Sequence, residues 1–247
     1  MNQMIKGLNW LSTFMDKKVN SVQQGGLCVA CLSADAFNGL CQPCRNELPV
    51  NRWRCRCCAL PLAFPSSELL CGDCLKRPPP FDTSFVPWRY QYPLDGMIGR
   101  YKYNGQRKFG RPLMADFNGL LEKALHSGSI TKPEALVPAP MDARRRRQRG
   151  FNQAQDIAET IGGHLKIPVA TGLVQRVQRV RAQRELNREA RLANLCGVFK
   201  VISPAPERVA IVDDVVTTGA TVRVLASALR EAGAREIQVW ALARTPG

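Results

Sequence analysis

Residues 208–222, RVAIVDDVVTTGATV, decide the fold class of this 247-residue chain. The stretch begins with an apolar run of the kind that forms buried parallel strands. Two adjacent acids, Asp213 and Asp214, follow the run directly, and threonines surround Gly219. The segment continues as TVRVLASALREAG, whose apolar spacing predicts an amphipathic helix closed by Gly233. A buried strand, a polar turn and a helix in this order indicate an α/β domain.

The same alternation of strands and helices extends to both sides of this stretch. Short apolar runs predict further strands at residues 135–140, 169–177, 197–202 and 236–243. Helical patterns occupy residues 92–125, with a break at 104–105, and residues 151–165, with an end at the glycines 162–163. Such alternation predicts a mostly parallel sheet, and ligands of these sheets bind at the carboxyl ends of the strands.

Composition and charge limit the kinds of protein that this chain can be. Hydrophobic residues make up 45% of the chain, which is enough for a packed core. No apolar run approaches the ~20 residues that a membrane span needs. The first residues show no secretory signal pattern, so we expect a cytoplasmic protein. The net charge of +15 favours polyanionic partners, which are nucleic acid, phosphorylated metabolites or an anionic membrane face, and charge alone does not choose among them.

Most of the cysteines lie close together in the first third of the chain. Nine of the ten fall between residues 28 and 74, and eight of these form four C-x-x-C pairs. Two such pairs supply the four thiolates of a tetrahedral zinc site that leaves no position for water, so the zinc would be structural. The competing interpretations are a thioredoxin-like dithiol, an iron–sulfur cluster and a secreted disulfide scaffold, and four consecutive pairs fit them poorly.

We therefore predict two structural Zn2+ ions. Sequential pairing of the C-x-x-C turns is favoured, while interleaved pairing stays open. In the sequential arrangement the ligands are Cys28, Cys31, Cys41 and Cys44 for one ion, and Cys55, Cys58, Cys71 and Cys74 for the other. Cys57 is left out of both sites, and Cys196 is predicted to be a small core residue.

A domain boundary is predicted where the cysteine-rich segment ends. Three consecutive prolines at residues 78–80 form a stiff, extended connector. The division gives an N-terminal segment with a double zinc ribbon at residues 1–80. The remaining residues, 81–247, have a length typical of one domain.

The turn after the two acids has the features of an anion site. A helix N-terminus presents unpaired backbone N–H groups and a partial positive charge, and Gly219 allows the backbone to approach a ligand closely. Asp213 and Asp214 would repel a phosphate, so we expect them to face vicinal sugar hydroxyls or an oxygen bound to Mg2+. The turn therefore predicts a ribose 5-phosphate ligand. The competing interpretation is an ordinary N-capped helix preceded by solvated acids.

The motif VDDVVTTGAT resembles the phosphoribosyl pyrophosphate (PRPP) motif of type I phosphoribosyltransferases. Residues from about 28 to 245 resemble the ComF family, also called GntX-like or competence protein F-like. The matching features are the paired cysteine knuckles, RYKYNG, VPAP, RRRRQRGFNQA and the terminal ALART. The resemblance implies an α/β fold with a type I phosphoribosyltransferase-like parallel sheet flanked by helices, preceded by a small N-terminal double zinc-ribbon domain.

The resemblance also implies roles for individual residues. Asp213 and Asp214 would hold the ribose hydroxyls as the catalytic pair, with Asp214 placed to stabilise charge at the sugar carbon. The 5′-phosphate would be cradled by Thr217, Thr218, Gly219, Ala220 and Thr221. Candidates for the pyrophosphate and mobile-loop contacts are Lys102, Pro138, Ala139, Arg149 and Gln183. The mobile loop would span residues 179–194, where Val180 replaces a threonine common in the family.

Two functions follow from this resemblance. The first is a phosphoribosyltransferase that uses PRPP and Mg2+, with an unknown acceptor, in nucleotide metabolism or DNA uptake. The second is a non-catalytic accessory protein that binds single-stranded nucleic acid and keeps the PRPP site as a sensor or a vestige. Its partners would be single-stranded DNA or competence proteins. The arginines at 144–147 would capture pyrophosphate or nucleic acid, or would lie in a solvated loop.

Overall fold

The computed structural model describes residues 26–63, 70–103, 106–177 and 198–247. The chain forms two compact units. The described part of the first unit lies within Met1–Leu48 and Tyr92–Ala115, and that of the second within Pro49–Gln91 and Asp116–Gly247. This division into units does not test the domain boundary predicted at the prolines, which stays a prediction.

The second half of the chain contains both helices and strands, as the sequence predicts. The predicted strands at 169–177 and 197–202 do not join the parallel sheet, because residues 174–176 and 199–201 pair antiparallel with each other in a separate two-stranded sheet. The helices are α1 (Gln42–Asn46), α2 (Gly72–Lys76), α3 (Leu94–Tyr103), α4 (Gly110–His126), α5 (Ala143–Arg149), α6 (Gln153–Leu165) and α7 (Ala220–Glu231), with a 3-10 helix at Arg107–Phe109. The strands are β1 (Thr83–Phe85), β2 (Trp88–Arg89), β3 (Ala135–Pro138), β4 (Val174–Arg176), β5 (Phe199–Val201), β6 (Arg208–Val216) and β7 (Glu236–Arg244). Among the described residues, none of the helices combines the length and the apolar character needed to cross a bilayer.

The first unit is built around one buried face of α3. Leu94, Met97, Ile98 and Tyr101 follow the spacing of a single helix face, and all four are buried. The ring of Tyr101 lies against Gly110, where an added Cβ would come within 2.7 Å of a ring carbon. A larger residue at position 110 would therefore displace this ring. The predicted break in the helical pattern is confirmed, since α3 ends at residue 103 and the 3-10 helix begins at residue 107.

The second unit contains a five-stranded parallel sheet. Its order is β1–β7–β6–β3, and β2 pairs with the end of β7 beyond β1. The two central strands are long and nearly fully buried, which explains their continuous apolar sequences. Helix α7 packs its apolar side against this sheet, and α6 contacts β3 and β6. The predicted α/β class, a parallel sheet flanked by helices and preceded by cysteine knuckles, is confirmed.

The predicted end of β6 was wrong. The sequence places Asp213 and Asp214 after the strand, but β6 continues through both acids to Val216. Asp213 lies opposite Ala241 in the parallel ladder, and Val216 lies opposite Arg244. The β-branched side chains after the acids favour the extended backbone and allow the ladder with β7 to continue. The turn therefore begins at residue 217.

The predicted end of α6 was also wrong. The helix passes through both glycines and ends at Leu165, followed by Lys166 in the left-handed region with φ 54°. Gly162 is a packing glycine, because an added Cβ would lie 2.7 Å from the Ile167 carbonyl oxygen and 2.7 Å from a Val169 methyl group. The next segment of chain can therefore fold back closely over the helix and pair with β3 at residue 136.

Candidate ligand site and cysteine clusters

The candidate anion site forms where β6 leaves the sheet. After Val216 the chain makes a three-residue turn, and Gly219 takes a left-handed conformation with φ 76° directly before α7. Thr217 is exposed, whereas Thr218 and Thr221 are half-buried. The first N–H groups of a helix have no partners within the helix, so this turn presents donors at the positive end of a 12-residue helix.

The backbone orients both acids at the end of β6. One carboxylate oxygen of Asp213 accepts a hydrogen bond from the Asp214 N–H at 2.9 Å. One oxygen of Asp214 accepts from the Val215 N–H at 2.6 Å. Asp214 is only 8% exposed, while Asp213 is half-buried. Because a buried carboxylate is costly without partners, these bonds help to keep the charged groups at the sheet edge.

The end of β3 lies directly beside these acids. Pro138 is opposite Val212 in the ladder, and the Ala139 N–H donates to the Val212 carbonyl at 2.9 Å. The Asn152 amide donates to the Ala139 carbonyl at 3.1 Å and its oxygen caps α6. Two of the predicted segments, the VPAP turn and the strand with the acids, are thus brought together at the carboxyl edge of the sheet.

A cavity of about 150 Å³ opens beside the end of β3. Its walls combine proline, methionine and valine side chains with amide, hydroxyl and guanidinium groups. The lining residues are Pro138, Pro140, Met141, Arg146, Asn152, Gln155, Thr171 and Val174. The exposed lining of the cavity is mainly polar, so it suits a small polar ligand.

The arginine run forms helix α5 rather than the loop that one interpretation expected. The Asp142 carboxylate caps it by accepting from the N–H groups of Arg144 and Arg145. Burial raises the pKa of the Asp142 carboxyl, but these hydrogen bonds outweigh it and the pKa falls below its ordinary value. The side chains at residues 144–147 are exposed, so α5 presents a dense positive surface.

The remaining predicted contact residues lie in different segments of the chain. Arg149 ends α5, and its guanidinium donates to the Gln153 side chain at 3.0 Å. Lys102 lies near the end of α3, in the first compact unit. Gln183 and the predicted mobile loop at 179–194 lie outside the described residues, as does Cys196.

The eight paired cysteines form two clusters, and each cluster contains consecutive pairs. In both clusters the first pair lies in a turn and the second pair begins a short helix. Cys41 and Cys71 occupy the same position before their helices, with ψ 158° and φ −74° and −76°. Leu32 and Ala59, which follow the first pairs, both have positive φ. The two clusters are therefore two copies of one local module, in the sequential arrangement.

The donor sets fit a tetrahedral metal ion. All four sulfurs of each cluster lie within 4.8 Å of one another. The sulfurs of Cys31 and Cys41 are 3.5 Å apart and those of Cys58 and Cys71 are 3.6 Å apart. Four sulfurs at 2.3 Å from one zinc ion would be separated by about 3.8 Å. A hydrogen bond from the Cys58 thiol is the main cause that lowers the pKa of Cys55 to about 4, and the same bond raises the pKa of Cys58, so without a metal the two sulfurs share a proton.

The second cluster belongs to the core of the sheet. Cys55, Cys71 and Cys74 share one buried apolar cluster with residues of β6, β7 and α7. The adjacent β1 strengthens this contact, since the Ser84 hydroxyl donates to the Cys57 carbonyl at 2.5 Å. Cys57 lies outside the metal-ligand group and donates its thiol to the Phe81 carbonyl at 3.5 Å. A metal at this cluster would therefore stabilise the sheet as well as the loops that carry the cysteines.

Sequence reasoning missed one buried cation, Arg244. This side chain ends β7, is 5% exposed and donates hydrogen bonds to several carbonyl groups near the candidate anion site. Its only signal in the sequence is an arginine that ends an otherwise apolar strand, in VWALAR. Since buried arginines are rare unless they are paired, that signal would have justified a structural role.

Two curated proteins are similar to this chain over most of its length. Competence protein F of Haemophilus influenzae is 34% identical over 213 residues, which cover 85% of this chain and 92% of the relative. DNA utilization protein YhgH of Escherichia coli strain K12 is 33% identical over 226 residues, which cover 89% of this chain and 97% of the relative. Competence protein ComFC of Streptococcus pneumoniae is 27% identical over 156 residues, 63% of this chain and 65% of the relative.

Two other comparisons are less informative. No family model matches the chain. The solved purine phosphoribosyltransferase of Pyrococcus horikoshii aligns with 53% of this chain and 73% of that chain at 20% identity, with a TM-score of 0.33 that is too low to assign fold or function. The two long alignments at more than 30% identity are decisive. The chain belongs to the ComF family, together with competence protein F and YhgH.

Proposed function

We propose that this protein binds PRPP with Mg2+ and transfers the phosphoribosyl group to an acceptor. The observation that carries the proposal is the order of groups at the edge of the sheet. Two oriented carboxylates, Asp213 and Asp214, are followed after two residues by a turn that opens helix α7. Carboxylates suit sugar hydroxyls, and a helix N-terminus suits a phosphate, so the spacing fits a ribose 5-phosphate.

In this proposal each group has a defined role. The donors of residues 217–221 bind the 5′-phosphate, and the two acids accept hydrogen bonds from the ribose hydroxyls. The bond between C1 of the ribose and the pyrophosphate oxygen breaks while a bond from C1 to the acceptor forms. Positive charge develops on the sugar in the transition state, and the nearby carboxylate of Asp214 stabilises it.

The donor set at the site also fits a magnesium ion. Mg2+ prefers oxygen ligands and binds through one or two carboxylates together with the oxygens of its phosphate partner. Asp213 and Asp214 supply such oxygens, and they are the residues that would approach a PRPP-bound ion. Magnesium neutralises charge on the pyrophosphate group. For the cysteine clusters we propose structural zinc, and we place the protein in the cytoplasm, where thiols stay reduced.

Substitution of Gly219 by alanine tests the role of the turn. At φ 76° an alanine costs roughly 1–2 kcal/mol, although no atom lies closer than 3.9 Å to the added Cβ. We expect Gly219→Ala to weaken PRPP binding about tenfold, because the turn must shift its amides to relieve that strain. Isothermal titration calorimetry of PRPP with Mg2+ into the full chain measures the affinity.

A second glycine serves as a matched control. Gly128 also has positive φ, at 69°, and its added Cβ would meet nothing within 4 Å. It lies in the turn after α4, far along the chain from the proposed site. Gly128→Ala should lower thermal stability by a similar amount and leave PRPP affinity unchanged. If both variants bind PRPP as tightly as the wild type, or if both lose affinity equally, the turn is not the phosphate site.

A second candidate function is the binding of single-stranded DNA. The exposed arginines of α5 form a positive surface, and the names of the relatives refer to competence and DNA utilization. Guanidinium groups bind phosphates strongly, and such binding releases counterions, so the affinity should fall steeply with salt concentration. This function is compatible with PRPP binding at the edge of the sheet.

The salt dependence of DNA binding distinguishes this surface from general positive charge. We expect the double variant Arg144→Gln, Arg147→Gln to lower the slope of log affinity against log salt by about 1.4, since each lost phosphate contact removes about 0.7. Fluorescence anisotropy with labelled oligo-dT measures the slope. The control variant Lys132→Gln, Arg235→Gln removes two exposed charges from the same compact unit. Equal slopes for the two variants would argue against a specific surface on α5.

A further inference from the structure

The buried side chain of Arg244 joins the candidate phosphate turn to the second cysteine cluster. We propose that Arg244 is a positioning residue through which a metal ion at Cys55, Cys58, Cys71 and Cys74 fixes the conformation of residues 217–221. The name phosphate turn, used here for those five residues, rests on the proposed function. The link between the second cysteine cluster and these residues depends only on the contacts of Arg244.

Arg244 donates hydrogen bonds in two directions. One terminal nitrogen, Nη1, donates to the carbonyls of Val216 and Thr245, each at 3.0 Å, and to the carbonyl of Thr217. The Nε atom donates to the Cys58 carbonyl at 3.2 Å. The Val216 carbonyl also accepts from the Thr245 N–H at 3.0 Å. A single guanidinium therefore holds the last carbonyl of β6 and the first carbonyl of the phosphate turn.

These bonds set the direction of the amides that would face a ligand. In a trans peptide the N–H group points opposite to the preceding carbonyl. Because the carbonyls of Val216 and Thr217 point toward Arg244, the N–H groups of Thr217 and Thr218 point away from it. The guanidinium thus orients two donors at the start of the phosphate turn without touching the ligand.

The other end of the link is a metal ligand. Cys58 contributes its sulfur to the second cluster and its carbonyl to Arg244, so a metal that fixes the sulfur also restrains the carbonyl. Ala59, next in the chain, has a positive φ of 55° and is fully buried. Loss of the metal would free this loop, and Arg244 would lose one of the partners that hold its guanidinium plane.

The link explains why a buried arginine ends an apolar strand. A methionine would fill similar volume but would leave several carbonyls without donors, and a lysine would donate from one point instead of a planar fork. The sequence separation between the cluster and the turn is more than 140 residues, so no local turn geometry could supply the same restraint. Metal occupancy and the readiness of the turn to bind an anion are therefore coupled.

Hydrogen exchange of the full-length, zinc-loaded protein tests the link. Arg244→Met should raise the exchange of the peptide at residues 217–225 by about tenfold to a hundredfold, because its Arg223 amide donates to the Gly219 carbonyl of the turn, and the turn loses the restraint of a buried charged donor. The variant should keep both metal ions, and a peptide from α6 should exchange as in the wild type. Arg235→Met, which removes an exposed arginine just before β7, is the control and should change neither peptide.

Metal removal tests the other half of the link. Cys71→Ser alters the second cluster, and Cys41→Ser alters the equivalent position of the first. We expect faster exchange of the peptide at residues 217–225, which holds the Arg223 amide, in Cys71→Ser and unchanged exchange there in Cys41→Ser. If Cys71→Ser raises exchange throughout the sheet, Arg244→Met decides: a rise confined to the phosphate turn supports the link, and no rise overturns it. Equal effects of the two cysteine variants would also overturn it.

The failure of this inference can be told apart from the failure of the proposed function. Exchange and zinc content are measured without PRPP, so they report the link whatever the ligand is. A protein that does not bind PRPP but shows the local exchange response would refute the proposed function and support the link. A protein that binds PRPP equally well with Arg244 or methionine, with unchanged exchange, would refute the link alone.

Discussion

Replacing Cys71 with serine is expected to reduce bound zinc from two ions to one and to destabilise the sheet of the second compact unit. The Cys71 sulfur is one of the four sulfurs of the second cluster, and the cysteine is buried in the same apolar cluster as the central strands. Structural zinc contributes about 10–16 kcal/mol in small zinc domains, whereas a whole domain has a net stability of about 5–15 kcal/mol. Loss of even a fraction of that contribution should lower the melting temperature markedly, as measured by circular dichroism with zinc content from mass spectrometry.

Cys41→Ser is the matched variant in the first cluster. Cys41 precedes its helix with the same backbone angles as Cys71, but it belongs to the other compact unit. It should also remove one zinc ion, while hydrogen exchange in β6 and β7 stays as slow as in the wild type. Two bound ions in Cys71→Ser, or a sheet loosened to the same degree in Cys41→Ser, would contradict a specific role of the second cluster in the sheet.

Local patterns were sufficient to predict most of the second compact unit. The apolar run of β6, the polar turn and the amphipathic α7 lie next to one another in the chain, so their order reveals the α/β class. The boundary of β6 was wrong by four residues, because pairing with β7 continues through two acids that disfavour strands on their own. Long-range pairing overrides local preference, and no single segment shows that pairing.

The cysteine clusters could also be predicted only in part from the sequence. The spacing of each C-x-x-C turn points two sulfurs at one position, so the four pairs could be predicted from the sequence, whereas sequential grouping of the pairs was only favoured over interleaving. The location of the second set within the core of the sheet could not, because it depends on contacts between residues near 55–74 and residues near 209–241. The link through Arg244 was missed for the same reason, since its carbonyl partners are distant in the chain.

Replacing both Asp213 and Asp214 with asparagine is expected to weaken PRPP binding by about a hundredfold or more. Asparagine keeps an oxygen that can accept the backbone bonds now made by each carboxylate, so the fold should survive. The negative charges are lost, and each charge-assisted hydrogen bond to a sugar hydroxyl contributes about 1.5–3 kcal/mol. Binding of Mg2+ with PRPP should weaken as well, since neutral amides are poorer ligands for a hard cation.

The most direct test is a calorimetric titration of PRPP with Mg2+ into three proteins: the wild type, the double asparagine variant and Glu231→Gln. Glu231 is an exposed acid at the end of α7, so its variant controls for the loss of negative charge in the same unit. We predict saturable binding to the wild type and to Glu231→Gln, and little or no measurable heat with the double variant. Equal affinity of all three proteins for PRPP would contradict the assignment of these acids to the sugar.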